Sequence, residues 1–285
     1  MKSPIEDSLK QLLHGKLGAL VSFLNSDVLV YTGDLGPLPP NIFTKIIEEL
    51  KNDAVKHDKL YVILTTRGGS AETVERYVNI LRYHYKEINF IVPDFAYSAG
   101  TIFCMSGDSI LMDYSSVLGP IDPQVLNKDK KYVAALGYLD KVNEFINKAA
   151  AGKLTNAELI WLKEIDLGEL RSFEQARDLT IDLLKRWLVE YKFKNWNNHK
   201  NGNEVTKEEK EKRAEAIAKE LSDNKKWKSH AKGITIAELK DLKLRIEDFS
   251  GDVDLRPLIR DYYNTMDEYI RMRNIPLFIH NRILL

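Results

Sequence analysis

The chain has 285 residues, 44% of them hydrophobic, and balances 42 Lys and Arg against 42 Asp and Glu. That length and composition suit one large domain, or one domain with a helical extension, around a sizeable core. Zero net charge supplies no field to gather nucleic acid or an anionic membrane surface, so neither is expected as a partner.

Cys104 is the single cysteine, which excludes an intramolecular disulfide and fits a reducing compartment. Its apolar neighbours mark it as a buried structural thiol. No stretch is long and apolar enough to span a bilayer; residues 17–24 are apolar but too short. Residues 1–7 are acidic where a signal peptide would be basic and then apolar. The expectation is a soluble, cytoplasmic protein.

Residues 4–24 read as an amphipathic helix with Pro4 at an early helical position, packed on the body or on a neighbouring subunit. A short strand over 27–31 follows, then a Gly- and Pro-rich loop over 33–40. The next helix, 41–51, has apolar residues at 42, 43, 46, 47 and 50. Residues 59–65 are the clearest strand, apolar through the middle as in a sheet covered on both faces. After Thr66-Arg67-Gly68-Gly69-Ser70 comes a helix over 71–85, a strand over 88–92, a helix over 98–105 and a strand over 109–113. Such alternation makes right-handed βαβ units around a mainly parallel sheet.

The character changes after Asp122. Residues 128–131 form a charged loop, and 131–219 are largely helical with a polar break at 195–203. The break holds Trp196 and His199, but no second ligand stands at metal spacing, so no metal is expected. Thr206-Lys207-Glu208-Glu209 is a capping box, and the charged run behind it faces solvent with i,i+4 pairs. Residues 235–241 form a short helix leading into a returning strand at 242–246. A last helix covers 255–273. Residues 275–285 are apolar and β-prone, and either dock on the body or pair with another chain. The chain thus divides into an N-terminal helix (1–26), an α/β core (27–125), a helical region (126–222), a return segment completing the core (223–250) and a C-terminal helix and tail (251–285).

Two glycine-marked turns, each after a buried parallel strand, carry the chemistry. The second is Ala96-Tyr97-Ser98-Ala99-Gly100-Thr101. A serine there stands where a helix begins, its hydroxyl facing a cavity and the following N–H groups lacking intrahelical partners. A nucleophilic serine needs that arrangement. The hexapeptide alone reads more simply as a helix N-cap. The first turn is Gly68-Gly69, which by itself is a tight turn. In an open α/β sheet, ligands bind at the carboxyl ends of strands, so both turns open on one edge. Gly68 or Gly69 can then aim one N–H at an oxyanion and Ala99 the other.

Four segments carry a family resemblance: Thr65-Thr66-Arg67-Gly68-Gly69, Tyr97-Ser98-Ala99-Gly100-Thr101, Asp108-Ser109-Ile110-Leu111-Met112 and Gly119-Pro120-Ile121-Asp122-Pro123-Gln124. Together they resemble the Clp-type and signal-peptide-peptidase-type serine proteases, which share the crotonase-like fold. The Gly-Pro-Ile-Asp-Pro-Gln run is most similar to the serine dehydrogenase proteinase branch. The resemblance covers residues 27–124 and resumes at Ser229-His230 and 234–244. It implies an α/β fold of repeated β-β-α or β-α-β units around a mainly parallel sheet, with the helical half appended. It also implies Ser98 as nucleophile, Gly68, Gly69 and Ala99 as oxyanion positions, a peptide or protein substrate, a homo-oligomer and no cofactor.

The base does not carry over. Asp122 stands about where Clp-type proteases have a histidine, and an aspartate of ordinary pKa is a poor base for a serine hydroxyl. One alternative is His230 as base with Asp122 orienting it, since triads are defined by geometry and not chain order. The other is a lysine base: Lys141, on a mixed helix that could turn it inward, or Lys130 and Lys131. A lysine base must be desolvated to lower its pKa. Each has a plainer reading, His230 as a polar loop residue and Asp122 as a turn residue between prolines. Three functions remain open: a serine peptidase, a peptide- or partner-binding member without activity, and an acyl-coenzyme A enzyme of the crotonase type. The last ranks lowest, because no basic cluster suited to coenzyme A phosphates stands near the first turns.

Overall fold

The computed structural model describes residues 4–38, 41–126, 132–199 and 201–284. Helix α1 (Pro4–Leu24) leads into β1 (Asp27–Gly33), α2 (Ile42–Asn52), β2 (Lys59–Thr65), α3 (Ala71–His84) and β3 (Glu87–Val92). Then come the two-residue strand β4 (Phe95–Ala96), α4 (Ala99–Met105), β5 (Ser109–Met112) and a second two-residue strand, β6 (Val117–Leu118). A hairpin of β7 (Gln124–Leu126) and β8 (Tyr132–Ala134) opens the second half, before α5 (Ala135–Ala150), α6 (Asn156–Lys163) and α7 (Leu167–Trp187). Helix α7 continues as a π-helical turn, Leu188–Lys192, and α8 (Lys207–Leu221), α9 (Asn224–Trp227) and α10 (Ile236–Asp241) follow. Last come β9 (Glu247–Asp248), α11 (Leu255–Arg273) and β10 (Leu277–His280).

Six strands form the central sheet in the order β10-β1-β2-β3-β5-β9. All neighbours run parallel except β10, which is antiparallel to β1. The register sets Leu29 beside Val62, Val62 beside Phe90 and Phe90 beside Ile110. These residues face one way and pack with α2, α3 and α4. Their neighbours Val28, Val30, Ile63, Ile91 and Leu111 face the other way, onto α1 and α11. Period-two alternation thus produces two apolar layers, and both faces are covered as the unbroken apolar strands require.

The fold is the expected mixed α/β architecture with a mainly parallel sheet and a helical C-terminal half. The helical half is not a separate body. Leu183, Leu184 and Trp187 of α7 and Ala214, Ile217 and Leu221 of α8 join the same core as α3 and α4. Among the described residues, only Ala135, Leu139 and Phe173 make a small core of their own. The expected capping box at Thr206 forms, its hydroxyl accepting the Glu209 N–H at 3.2 Å.

One detail differs from expectation, and one open alternative is decided. Residues 242–246 are not a strand; the chain reaches the sheet at Glu247–Asp248, beside Leu111 and Met112. Lys243 leaves α10 with φ of 62°, and Leu244 and Ile246 are already used to fill the core below. The tail over 275–285 takes the first of its two alternatives, docking on the body as β10 against β1. The charged loop at 128–131, with Lys130 and Lys131, lies outside the described residues.

Candidate active site

The two glycine-marked turns do open on one edge. Strands β2 and β3 are adjacent and parallel, and their carboxyl ends feed the 66–70 turn and the 93–98 turn. The edge is stitched by short pairings. Thr66 bridges Ala96, with Thr66 N–H donating to the Phe95 carbonyl at 3.2 Å and Tyr97 N–H to the Thr66 carbonyl at 3.0 Å. Strand β4 pairs with β6, and Leu118 of β6 pairs with Ile234. Leu35 lies against Gly69, its N–H donating to the Gly68 carbonyl at 2.7 Å.

Ser98 is 3% exposed and has φ of 52° and ψ of −117°, a conformation that costs a side-chain-bearing residue about 1–3 kcal/mol. Packing keeps it there. A Cβ on Gly68 would lie 2.9 Å from Ser98 Cβ and 3.0 Å from the Tyr97 carbonyl, so only glycine lets the turns approach this closely. Gly68 has φ of 119° and Gly69 has φ of 149°, both in the region that favours glycine. Inside the turn, Gly68 N–H donates to Thr66 Oγ1 at 3.0 Å. The N–H groups of Gly69 and Ala99 have no partner among the described residues. Gly69 follows the glycine that packs on Ser98, and Ala99, next after Ser98, is the first residue of α4.

Threonines hold the frame. Thr101 Oγ1 lies 2.9 Å from the Ala96 carbonyl and 2.8 Å from that of Gly119, and accepts the Gly119 N–H at 3.1 Å. It therefore ties α4 to β4 and to the chain leading into Asp122. Neither Thr66 nor Thr101 was singled out from the sequence. Both lie inside the recognised motifs, but the Thr66 backbone pairs with Phe95 and Tyr97 and the Thr101 hydroxyl with Gly119, partners in other segments that no local pattern reports.

The segment after β6 brings Asp122 beside the serine, and Ser98 Oγ donates to its backbone carbonyl at 3.3 Å. Asp122 is 4% exposed, and its carboxylate accepts the Leu136 N–H at 3.1 Å. Burial raises its pKa; the Leu136 N–H and the charge of His230 oppose that rise. Hydrogen bonds between Leu118 and Ile234, at 2.7 and 3.1 Å, carry the 229–234 loop to this end of the fold. His230 on that loop bears electrostatically on Asp122, and its Nδ1 is sealed from water with no hydrogen-bond partner. So Gly68 and the Asp122 carbonyl meet at Ser98, and the loop carrying His230 is held at the same end of the fold.

Lys141 is not drawn in. Its side chain on α5 is 54% exposed, its amine pairs with Glu144 at 2.9 Å and lies over the Phe145 ring. The mixed helix turns it to water, where nothing desolvates it. Cys104 is fully buried, and burial pushes its thiol up to about 12, as a structural cysteine should be. His199 pairs with Glu209 at 3.0 Å, and among the described residues no group of three or more His, Cys, Asp and Glu could hold a metal.

A model of the ClpP-like SDH-type serine proteinases matches residues 45–206. The chain belongs to this family. The match takes in both glycine-marked turns, Ser98, Asp122 and Lys141, and stops short of His230. Two relatives from Methanocaldococcus jannaschii are each 27% identical, the uncharacterized proteins MJ0137 and MJ1495. The alignments cover 68% and 65% of this chain, and the chain spans only about half the length of each relative, 55% and 51%. A solved structure of a mutant of 1510-N, described as a membrane-bound stomatin-specific protease in complex with a substrate peptide, overlays with a TM-score of 0.42 at 15% identity. That overlay covers 78% of this chain and 75% of the other. Among the described residues of the present chain, no helix is long and apolar enough to cross a membrane.

Proposed function

We propose that this ClpP-like proteinase family member is an active serine peptidase with Ser98 as nucleophile. The backbone of Ser98 carries the reading: a buried serine kept at φ of 52° by a glycine that admits no Cβ. A helix cap has no use for that strain, whereas a nucleophile gains a fixed direction of attack. The substrate carbonyl oxygen becomes an oxyanion as Ser98 Oγ adds to it, and the free N–H groups of Gly69 and Ala99 are suited to receive that charge. His230 takes the serine proton and returns it to the leaving amine; water then releases the acyl group. Asp122 orients the imidazole and balances its charge.

The unpartnered Nδ1 of His230 and its electrostatic contact with Asp122 favour this base over Lys141, whose amine is solvated. The bond from Ser98 Oγ to the Asp122 carbonyl must break for the hydroxyl to turn to a base. Apo geometry of this kind commonly tightens only when substrate binds. A homo-oligomer and a peptide or protein substrate belong to the same reading, and light scattering on the purified chain reads the former directly.

A fluorophosphonate probe tests the nucleophile. The wild type is expected to label on Ser98 and the Ser98→Ala variant not at all. His230→Asn should slow labelling by about 10²-fold or more, while Lys141→Met leaves it unchanged. A folded wild type that never labels overturns the proposal. Normal labelling of His230→Asn removes the base assignment and leaves the nucleophile standing.

A further inference from the structure

The turn that would hold the oxyanion carries an arginine with no structural work to do. Arg67 immediately precedes Gly68-Gly69 and is exposed. It makes no ion pair or hydrogen bond among the described residues. The arginines that brace this fold behave differently. Arg82 pairs with Asp108 at 2.9 Å, Arg256 pairs with Asp113 at 3.1 Å, and Arg282 pairs with Asp27 at 2.9 Å. A guanidinium is costly in side-chain entropy when ordered, so a structural arginine is normally tethered to acids as these three are.

Among the described residues no acid pairs with Arg67. Glu72, on the first turn of α3, accepts from Ser70 Oγ at 2.6 Å. Ser70 Oγ in turn accepts the Thr73 N–H, which keeps Glu72 at the helix cap. Asp122 is buried, and its carboxylate is engaged by the Leu136 N–H. The glycine turn therefore carries an exposed guanidinium with which no described acid pairs.

Chain geometry fixes what this charge can read. Arg67 is two residues from Gly69, at most about 7.6 Å between Cα atoms. An extended peptide advances roughly 3.3–3.6 Å per residue, so that separation is less than three substrate residues. We infer that Arg67 is a specificity-determining residue that binds a substrate carboxylate lying within about three residues of the bond to be cut. A guanidinium holds a carboxylate through two parallel N–H···O bonds, which gives direction as well as charge. The carboxylate is either an aspartate or glutamate side chain or the free C-terminus of a peptide. The inference rests on the peptidase reading above and adds the chemical class of its substrate.

Binding and labelling together test it. The Ser98→Ala protein is titrated with fluorescent octapeptides of one neutral sequence, in which a single Glu or Gln is stepped along the chain. Each peptide is made with a free and an amidated C-terminus. Anisotropy is expected to show the best Glu peptide binding on the order of tenfold tighter than its Gln twin, and the gap should narrow as salt rises. A gap that follows the free terminus and not the Glu position assigns the C-terminal carboxylate instead. Arg67→Gln in the same background should remove the preference, and Arg67→Lys should keep part of it. Equal binding of Glu and Gln peptides, binding of none, or a preference that survives Arg67→Gln overturns the inference. Fluorophosphonate labelling of the wild type separates the two claims. Labelling without acidic preference removes only the role of Arg67, and absence of labelling removes the peptidase reading.

Discussion

Gly68→Ala is the sharpest probe of the Ser98 turn. The added Cβ would lie 2.9 Å from Ser98 Cβ, and φ of 119° at residue 68 is disfavoured for alanine. Either the 66–70 turn or Ser98 must move, and a shift of about 1 Å at a reacting atom can cost on the order of 10²-fold in rate. The variant is expected to fold, with a stability loss of about 1–3 kcal/mol, and to lose fluorophosphonate labelling by about 10²-fold. Thermal melts and labelling rates measured together check this. A variant that labels at the wild-type rate would show that the approach of the two turns is not what holds the serine. At this scale the sequence was informative about where Ser98 and Gly68-Gly69 sit, because residue type and place after a strand set both turns on one sheet edge. It was silent on Thr66, whose backbone pairs with Phe95 and Tyr97, and on Thr101, whose hydroxyl binds the Gly119 backbone eighteen residues on. It did not report burial at the two base candidates either, since the exposure of Lys141 and the sealed Nδ1 of His230 depend on tertiary packing.

Strands and helices with an apolar period were legible where the core imposes one. Residues 59–65 and 255–273 match β2 and α11 at both ends. The β4–β6 strip was not legible, since a two-residue strand has no period and is defined by its partners. The π-helical turn Leu188–Lys192 was likewise invisible within a long helical pattern. There the widened turn, with Phe193 N–H donating to the Leu188 carbonyl at 2.8 Å, lets the Lys192 amine turn inward. Its Nζ is sealed from water and has no hydrogen-bond partner. Burial lowers its pKa to about 7, against the opposing influence of Cys104 and Asp108. A sealed amine without a partner is a net cost, so Lys192→Met is expected to stabilise the protein by about 1–3 kcal/mol at neutral pH. The pH dependence has a definite sign. Between about 7 and the ordinary lysine value of 10.5, the unfolded chain holds a proton at Lys192 that the folded chain does not. This group therefore makes stability rise with pH across that window. The advantage of the methionine should be largest at and below pH 7 and shrink towards pH 10. Urea melts of both proteins at pH 6.5, 8 and 9.5 measure it; an advantage that does not change with pH would mean the amine stays charged.

The two faces of the sheet divide the labour of the whole molecule. One face, with α3, α4 and the ends of α7 and α8, builds the candidate site. The other is closed by α1 and α11, and β10 seals the outer edge of β1, where an exposed strand would invite pairing with other chains. Arg282, just after β10, fastens that closure. It donates to Asp27 at 2.9 Å, to Asp53 at 3.0 Å and to the carbonyls of Leu50 and Val55 at 2.9 and 2.6 Å. Asp27 is fully buried and otherwise has the Tyr85 hydroxyl at 2.8 Å. Removing one partner of a buried pair leaves an uncompensated charge, which typically costs about 3–5 kcal/mol. Arg282→Met should therefore lower the melting temperature sharply and promote aggregation as β10 loosens from β1. Asp27→Asn in the same chain should recover part of the loss, because the orphaned charge is then gone. None of these groups touches the 66–70 turn or Ser98, so at a temperature where the variant is folded its fluorophosphonate labelling should equal the wild type. A parallel loss of labelling in the folded variant would mean that the edge strand and the candidate site are coupled through the sheet, and that the two faces are not independent.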